Sequence, residues 1–164
     1  MNIYQAFQRT FNKNNATLVI MDNQNALLIC IIFGIGIAGV IYWIASMRKG
    51  TISMNKPEHI LSFTSDFPAE KVMKIIIQYA NQSGYKVDDF DESKFIIVLS
   101  DPPTLMSMGF FYPIYLVQQN DGKTSIEIGI KGKIIQFQMG PVVNRYHEKC
   151  FNGIKTAIYS NNNA

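Results

Sequence analysis

Disulfide chemistry, metal-ligand spacing and an excess of one charge are all missing from this chain. It has two cysteines, Cys30 in an apolar run and Cys150 far downstream, and so no disulfide framework. That is compatible with a reducing compartment. His59 and His147 stand apart from each other and from cysteine, so no metal or other cofactor is expected. The formal net charge is +3, but Arg9, Lys13, Arg48 and Lys49 against Asp22 account for all of it. Residues 51–164 balance eleven cations with eleven anions. Such a domain lacks the electrostatic footprint of a phosphate-backbone binder, which excludes nucleic acid as an expected partner. Lys123, Lys131 and Lys133 read as a solvated strand face.

What the chain does have is the uncharged run Ala26–Ala45, followed by Ser46-Met47-Arg48-Lys49. As a helix the run reaches roughly 30 Å, the thickness of a bilayer's hydrocarbon core. Tyr42 and Trp43 sit near one end, where amphipathic rings favour the headgroup level. The run reads as one transmembrane helix over 26–47, in contact with the lipid bilayer. The competing readings are a signal-like segment and a buried core helix. The first is opposed by the long segment that precedes the run and by Trp43 and the Arg-Lys pair. The second is opposed by the absence of a polar stripe. Arg48 and Lys49 place the C-terminal domain on the cytoplasmic side by the positive-inside bias.

Gly34-Ile-Gly36-Ile-Ala-Gly39 matches the GxGxxG pattern of dinucleotide sites. That pattern works between a strand and a helix start, and here it lies within a span. Gly34 and Ala38 are instead candidates for helix–helix packing in the membrane, as a small-xxx-small pair. The plainer account is that glycine is common in membrane helices.

Residues 1–25 are a polar tail. Ile3, Tyr4, Phe7 and Phe11 recur at three- and four-residue steps, which suits a short amphipathic helix as well as a disordered tail. Asn15-Ala-Thr17 and Asn81-Gln-Ser83 match the unspecific glycosylation triplet. Residues 48–57 read as a linker, and 58–160 as one α+β domain, long enough for a single core.

Within that domain Ile60–Phe63 begins a strand. Asp66-Phe-Pro68-Ala-Glu70 starts a helix with Val72, Met73, Ile76 and Ala80 on one face, and Gly84 closes it. Strands follow at 85–87, 94–99, 110–118 and around Ile126, Ile128 and Ile130, with Asn120-Asp-Gly122 as a hairpin turn. Gly140-Pro141 opens a last helix buried through Val143, Tyr146, Cys150, Ile154 and Ala157. Asn161–Ala164 is a frayed tail. The order β-α-β-β-β-β-α gives an antiparallel sheet with two helices on one face. This order resembles the TATA-binding-protein-like and START-like arrangements over residues 58–160. The START-like resemblance implies a cavity between the sheet and the long last helix.

No catalytic set is visible, and the chain is expected not to be an enzyme. Asp88, Asp89, Asp91 and Glu92 form the densest acidic group, which reads as a solvated hairpin turn. His147 and Glu148 are adjacent on a helix and point apart. Thr104–Val117 carries no charge. It reads either as a buried strand with its preceding loop, or as an adaptable apolar surface in which Leu105, Met106, Met108, Phe110 and Phe111 contact a partner or ligand. Pro113 should place this strand at an edge or at a bulge. Two functions fit. One is a non-catalytic, single-pass membrane-anchored binding or assembly module, with a protein partner or a homo-oligomer. The other is a START-like carrier or sensor of a hydrophobic ligand or lipid.

Overall fold

The computed structural model describes residues 3–104, 107–134 and 140–161, with side chains from residue 25 onward. The chain divides into two compact units, Met1–Trp43 and Ile44–Ala164. The first is helical. Helix α1 spans Ile3–Met47 and starts well before the expected boundary at residue 26. No proline or glycine precedes Gly34, so nothing in the polar segment breaks the helix. Within α1, Asn25–Met47 is a stretch of 23 residues long and apolar enough to cross a membrane.

The second unit is an α+β fold: β1 (Ile60–Ser65), α2 (Ala69–Ser83), β2 (Lys86–Asp91), β3 (Ile96–Ser100), β4 (Phe110–Gln118), β5 (Thr124–Gly129), β6 (Lys131–Gly132) and α3 (Gly140–Ser160). The sheet is antiparallel with order β1-β5-β4-β3-β2, and β6 pairs with β4. Both helices share one core with one face of the sheet. Val72, Met73, Ile76 and Ala80 of α2 and Cys150, Ile154 and Ile158 of α3 meet Ile97, Leu99, Phe110, Tyr112, Ile114, Ile126 and Ile128. Helical spacing on one side and period-two alternation on the other make these faces continuous.

Local signals set the helix ends. Pro68 precedes α2 in extended conformation, and Ala69 N donates to Gln118 Oε1 at 2.8 Å. Gly84 ends α2 in the left-handed region at φ 78°. Gly153 lets α2 and α3 approach, since a Cβ there would collide with the Tyr79 hydroxyl.

β4 is the middle strand, so Pro113 lies neither at an edge nor at a bulge. The register with the β5–β6 line stays constant, from Ile114↔Ile128 to Phe111↔Lys131. Pairing lapses between those points. Leu116 N donates to Phe95 O on the β3 side, so even-numbered residues of β4 turn to β3 and odd-numbered ones to β5. The missing donor of Pro113 therefore falls on the β5–β6 side, where the ladder is interrupted, while the β3 ladder is unbroken through Val98↔Pro113.

The segment 48–57, expected to be a linker, packs on the opposite face of the sheet. Gly50 sits against Val98 and Phe111, where a Cβ would collide with the Val98 side chain. Gly50 N donates to Asp88 Oδ2 at 2.8 Å, and Ile52 N to Asp89 Oδ2 at 3.1 Å. Pro57 covers Gly129, and Lys56 pairs with Glu127 at 2.5 Å. Residues 48–57 are thus a strap across a face that would otherwise expose Val98 and Phe111.

Candidate functional site

The charge-free segment Thr104–Val117 is the expected contact surface. Leu105 and Met106 lie outside the described residues. Met108 is half-buried, and Ser107 and Gly109 are buried. Phe110 and Phe111 are 1% and 5% exposed, so neither offers an exposed contact. They point to opposite faces: Phe110 packs on Tyr146 at 5.1 Å between centroids, and Phe111 lies under the strap. The reason is that both faces of β4 are covered, by helices on one side and by Gly50 on the other, which makes a strand continuously apolar. Gly109 is required for the approach to this strand: it takes φ +83°, and a Cβ would lie 2.9 Å from Asp101 O.

Several polar groups are drawn into the domain that sequence spacing left outside it. Asp101 Oδ1 accepts from Phe110 N at 2.5 Å, and Oδ2 accepts from the Tyr112 hydroxyl at 3.0 Å. Burial raises the Asp101 carboxyl, against the opposing effect of these two donors. Tyr112, Tyr85 and Cys150 adjoin it in the core, and burial pushes all three up, away from thiolate or phenolate chemistry. Tyr85 stacks edge-on against Tyr112 at 5.5 Å.

The acidic group is not a solvated turn throughout. The Asp88 side chain is 1% exposed, because the bulge between Val87 and Asp89 turns it under the strap. At the tip Glu92 is exposed as expected, and Asp91 accepts from the Ser93 and Lys94 backbone nitrogens. Lys133, expected on a wet face, is 4% exposed and lies over the Phe111 ring at 5.4 Å. Burial lowers its ammonium, against the pull of Asp88 and Asp101. Arg48 Nη1 donates to Lys133 O at 2.5 Å.

His147 is absent from the buried stripe expected for the last helix, yet it belongs to it. It is buried, its Nε2 is 2.7 Å from Ile128 O, and burial lowers its pKa. With Glu58, His59, Asn144 and Glu148 it lines a shallow concavity of about 300 Å³ between β1 and α3. Among the described residues no three His, Cys, Asp or Glu side chains are placed to hold a metal ion. A second, larger groove of about 520 Å³ is lined by Pro141, Val142, Arg145, Tyr146 and Lys149 of α3. In the apolar helix, Gly34 has no neighbour within 4 Å of a Cβ position, and the surrounding isoleucines are exposed.

No protein-family model and no curated protein matches the chain. Among solved structures it is similar to Ara h 8.0201, at 14% identity over 61% of this chain and 93% of that one, with a TM-score of 0.46. It is also similar to a Nitrosospira multiformis protein solved as a structural-genomics target, at 14% identity over 66% of this chain and 100% of that one, with a TM-score of 0.48.

Proposed function

We propose that this chain is a single-pass membrane-anchored, non-catalytic assembly module whose cytoplasmic α+β domain recruits or braces other proteins at a bilayer. One observation carries the reading. The Asn25–Met47 stretch is apolar on all sides, and its large hydrophobic side chains are exposed. A helix hydrophobic all round needs a lipid or protein environment. Phe33, at 69% exposure, would not be left in water without cost. Arg48 and Lys49 support the cytoplasmic side, and Gly34 and Ala38 suit packing of one anchor against another. The non-catalytic reading draws on the burial that raises Asp101, Tyr85, Tyr112 and Cys150.

The carrier of a hydrophobic ligand is the second reading, favoured by the α3 groove with its apolar Val142 and Tyr146 beside Arg145 and Lys149. Phe110, Tyr112, Tyr146 and Cys150 occupy the space between sheet and α3, which weighs for the assembly module. Purification of the full chain from native membranes in mild detergent separates the two. The assembly module predicts retention through carbonate washing and a protein in fixed ratio, a second copy included. A bound lipid in fixed ratio with a single chain would make it a carrier, and recovery in the soluble fraction would overturn the anchor.

A further inference from the structure

The two edges of the sheet are built differently. β2 carries Lys86, Asp88, Asp89 and Asp91, and a register shift at Val87/Asp89 distorts it. Charges and bulges keep a further strand from pairing with an edge. β1, at the other edge, has the sequence ILSFTS, without charge, proline or bulge, and pairs in unbroken register with β5 over its whole length.

The outward-facing groups of β1 follow from the register. Odd-numbered residues of β4 turn to β5 and meet Glu127 and Ser125. The even-numbered residues of β5 therefore turn to β1, where they meet Leu61, Phe63 and Ser65. Ile60, Ser62 and Thr64 direct their N–H and C=O groups away from the sheet. The Tyr159 hydroxyl donates to Thr64 O at 3.3 Å, and Ser62 and Thr64 are exposed.

We propose that β1 is the contact between two copies of this chain, paired antiparallel about a two-fold axis at Ser62. This rests on the assembly reading and names its first partner. The strand is self-complementary in that register: Ser62 meets Ser62, Ile60 meets Thr64, and Leu61 meets Phe63 of the second copy on the helix side. The one like-charged pair it brings together is Glu58 and Asp66, and Lys123 already lies 3.4 Å from Asp66. A two-fold axis normal to the sheet also keeps both strap faces on one side. The two Gly50 residues then lie on the same face of a continuous sheet.

The test uses the full chain in liposomes, with Cys30→Ser as background. Ser62→Cys should give a dimer with a short bismaleimide, and Phe90→Cys on the β2 edge should not. Ser62→Lys should lose the dimer mass in detergent while keeping the melting temperature of the domain. Equal cross-linking at the two edges, or a dimer mass that survives Ser62→Lys, would overturn the β1 contact. Carbonate extraction of the same samples is a separate readout: a chain released there would count against the anchor, while the mass still decides the pairing.

Discussion

Two runs of this chain are free of charge, and the structure gives them opposite surroundings. In Ala26–Ala45 every residue except Ala45 is exposed, while Phe110–Leu116 is buried throughout except at Tyr115. Phe33 is 69% exposed and Phe110 is 1% exposed. Hydrophobicity does not distinguish these two phenylalanines. What does is whether a complementary surface exists within the chain. β4 sends alternate residues to two faces, and the domain covers both, with α2 and α3 on one side and the strap on the other. The apolar helix presents hydrophobic side chains around its whole circumference, and among the described residues of its own unit none buries them.

The comparison is broken most severely by placing charge in the exposed run. Ile35→Asp with Ile37→Asp should release much of the chain from membranes, because each central charge costs about 2.5–3.5 kcal/mol on insertion scales. The melting temperature of the α+β domain should not move. Carbonate extraction and circular dichroism read the two effects, and full retention in the membrane would count against the span.

The buried run should respond in the opposite way. Phe110→Ala removes a ring packed against Tyr146 and Tyr112. A loss of about 3–5 kcal/mol is expected, enough to unfold a marginal domain. Denaturant unfolding of the full chain in detergent measures it. Membrane retention should be unchanged.

Most of the architecture was legible because it rests on local signals. The bounds of β4, the left-handed Gly84, the hairpin at Gly122 and the stripe of α2 each follow from residues within a few positions of one another. The legible part ends where distant residues meet. Gly50 carries no mark that says it will lie against Asp88, and Tyr79 none that says it needs Gly153. The burial of Asp88 and Lys133, the central place of Pro113 and the early start of α1 were missed for that reason, or because propensity in a polar segment is a weak guide. Composition alone does not separate a strand covered on both faces from an exposed patch, and the burial of Phe110 and Phe111 is the instance here.

His147 offers a pH test of the helix face alone. Its folded pKa is lowered by burial, so the folded state binds fewer protons than the unfolded one just below about pH 6.5. The contribution is present above the unfolded value and is lost as pH falls toward the folded value. His59 and Glu148 are the charged neighbours, and they act in opposite directions. Asp101 has the reverse sign: its raised pKa favours the folded state below about pH 4, and that contribution fades as pH rises through its folded value. The melting temperature should therefore fall between about pH 7 and about pH 5 in the native chain, and fall less in His147→Gln. Equal slopes would mean that His147 does not govern this window.

The smallest effect is expected on the strap, and it sharpens what holds that face. Lys56 pairs with Glu127 and lies 5.3 Å from the Tyr115 ring, but its side chain is 54% exposed. Exposed ion pairs contribute about 0–1 kcal/mol and are screened by salt. The other strap contacts are of a different kind. Gly50 and Ile52 donate backbone hydrogens to Asp88 and Asp89, and removing a buried acceptor leaves a donor unsatisfied. Lys56→Met should therefore change stability by less than about 1 kcal/mol, with little dependence on salt. Asp88→Ala should cost about 1–3 kcal/mol. If Lys56→Met were the more damaging of the two, the strap would be held from its solvent side. Phe111 and Val98 would then be covered by a segment whose grip weakens with ionic strength, and the burial of β4 on that face would be conditional where its burial under α2 and α3 is not.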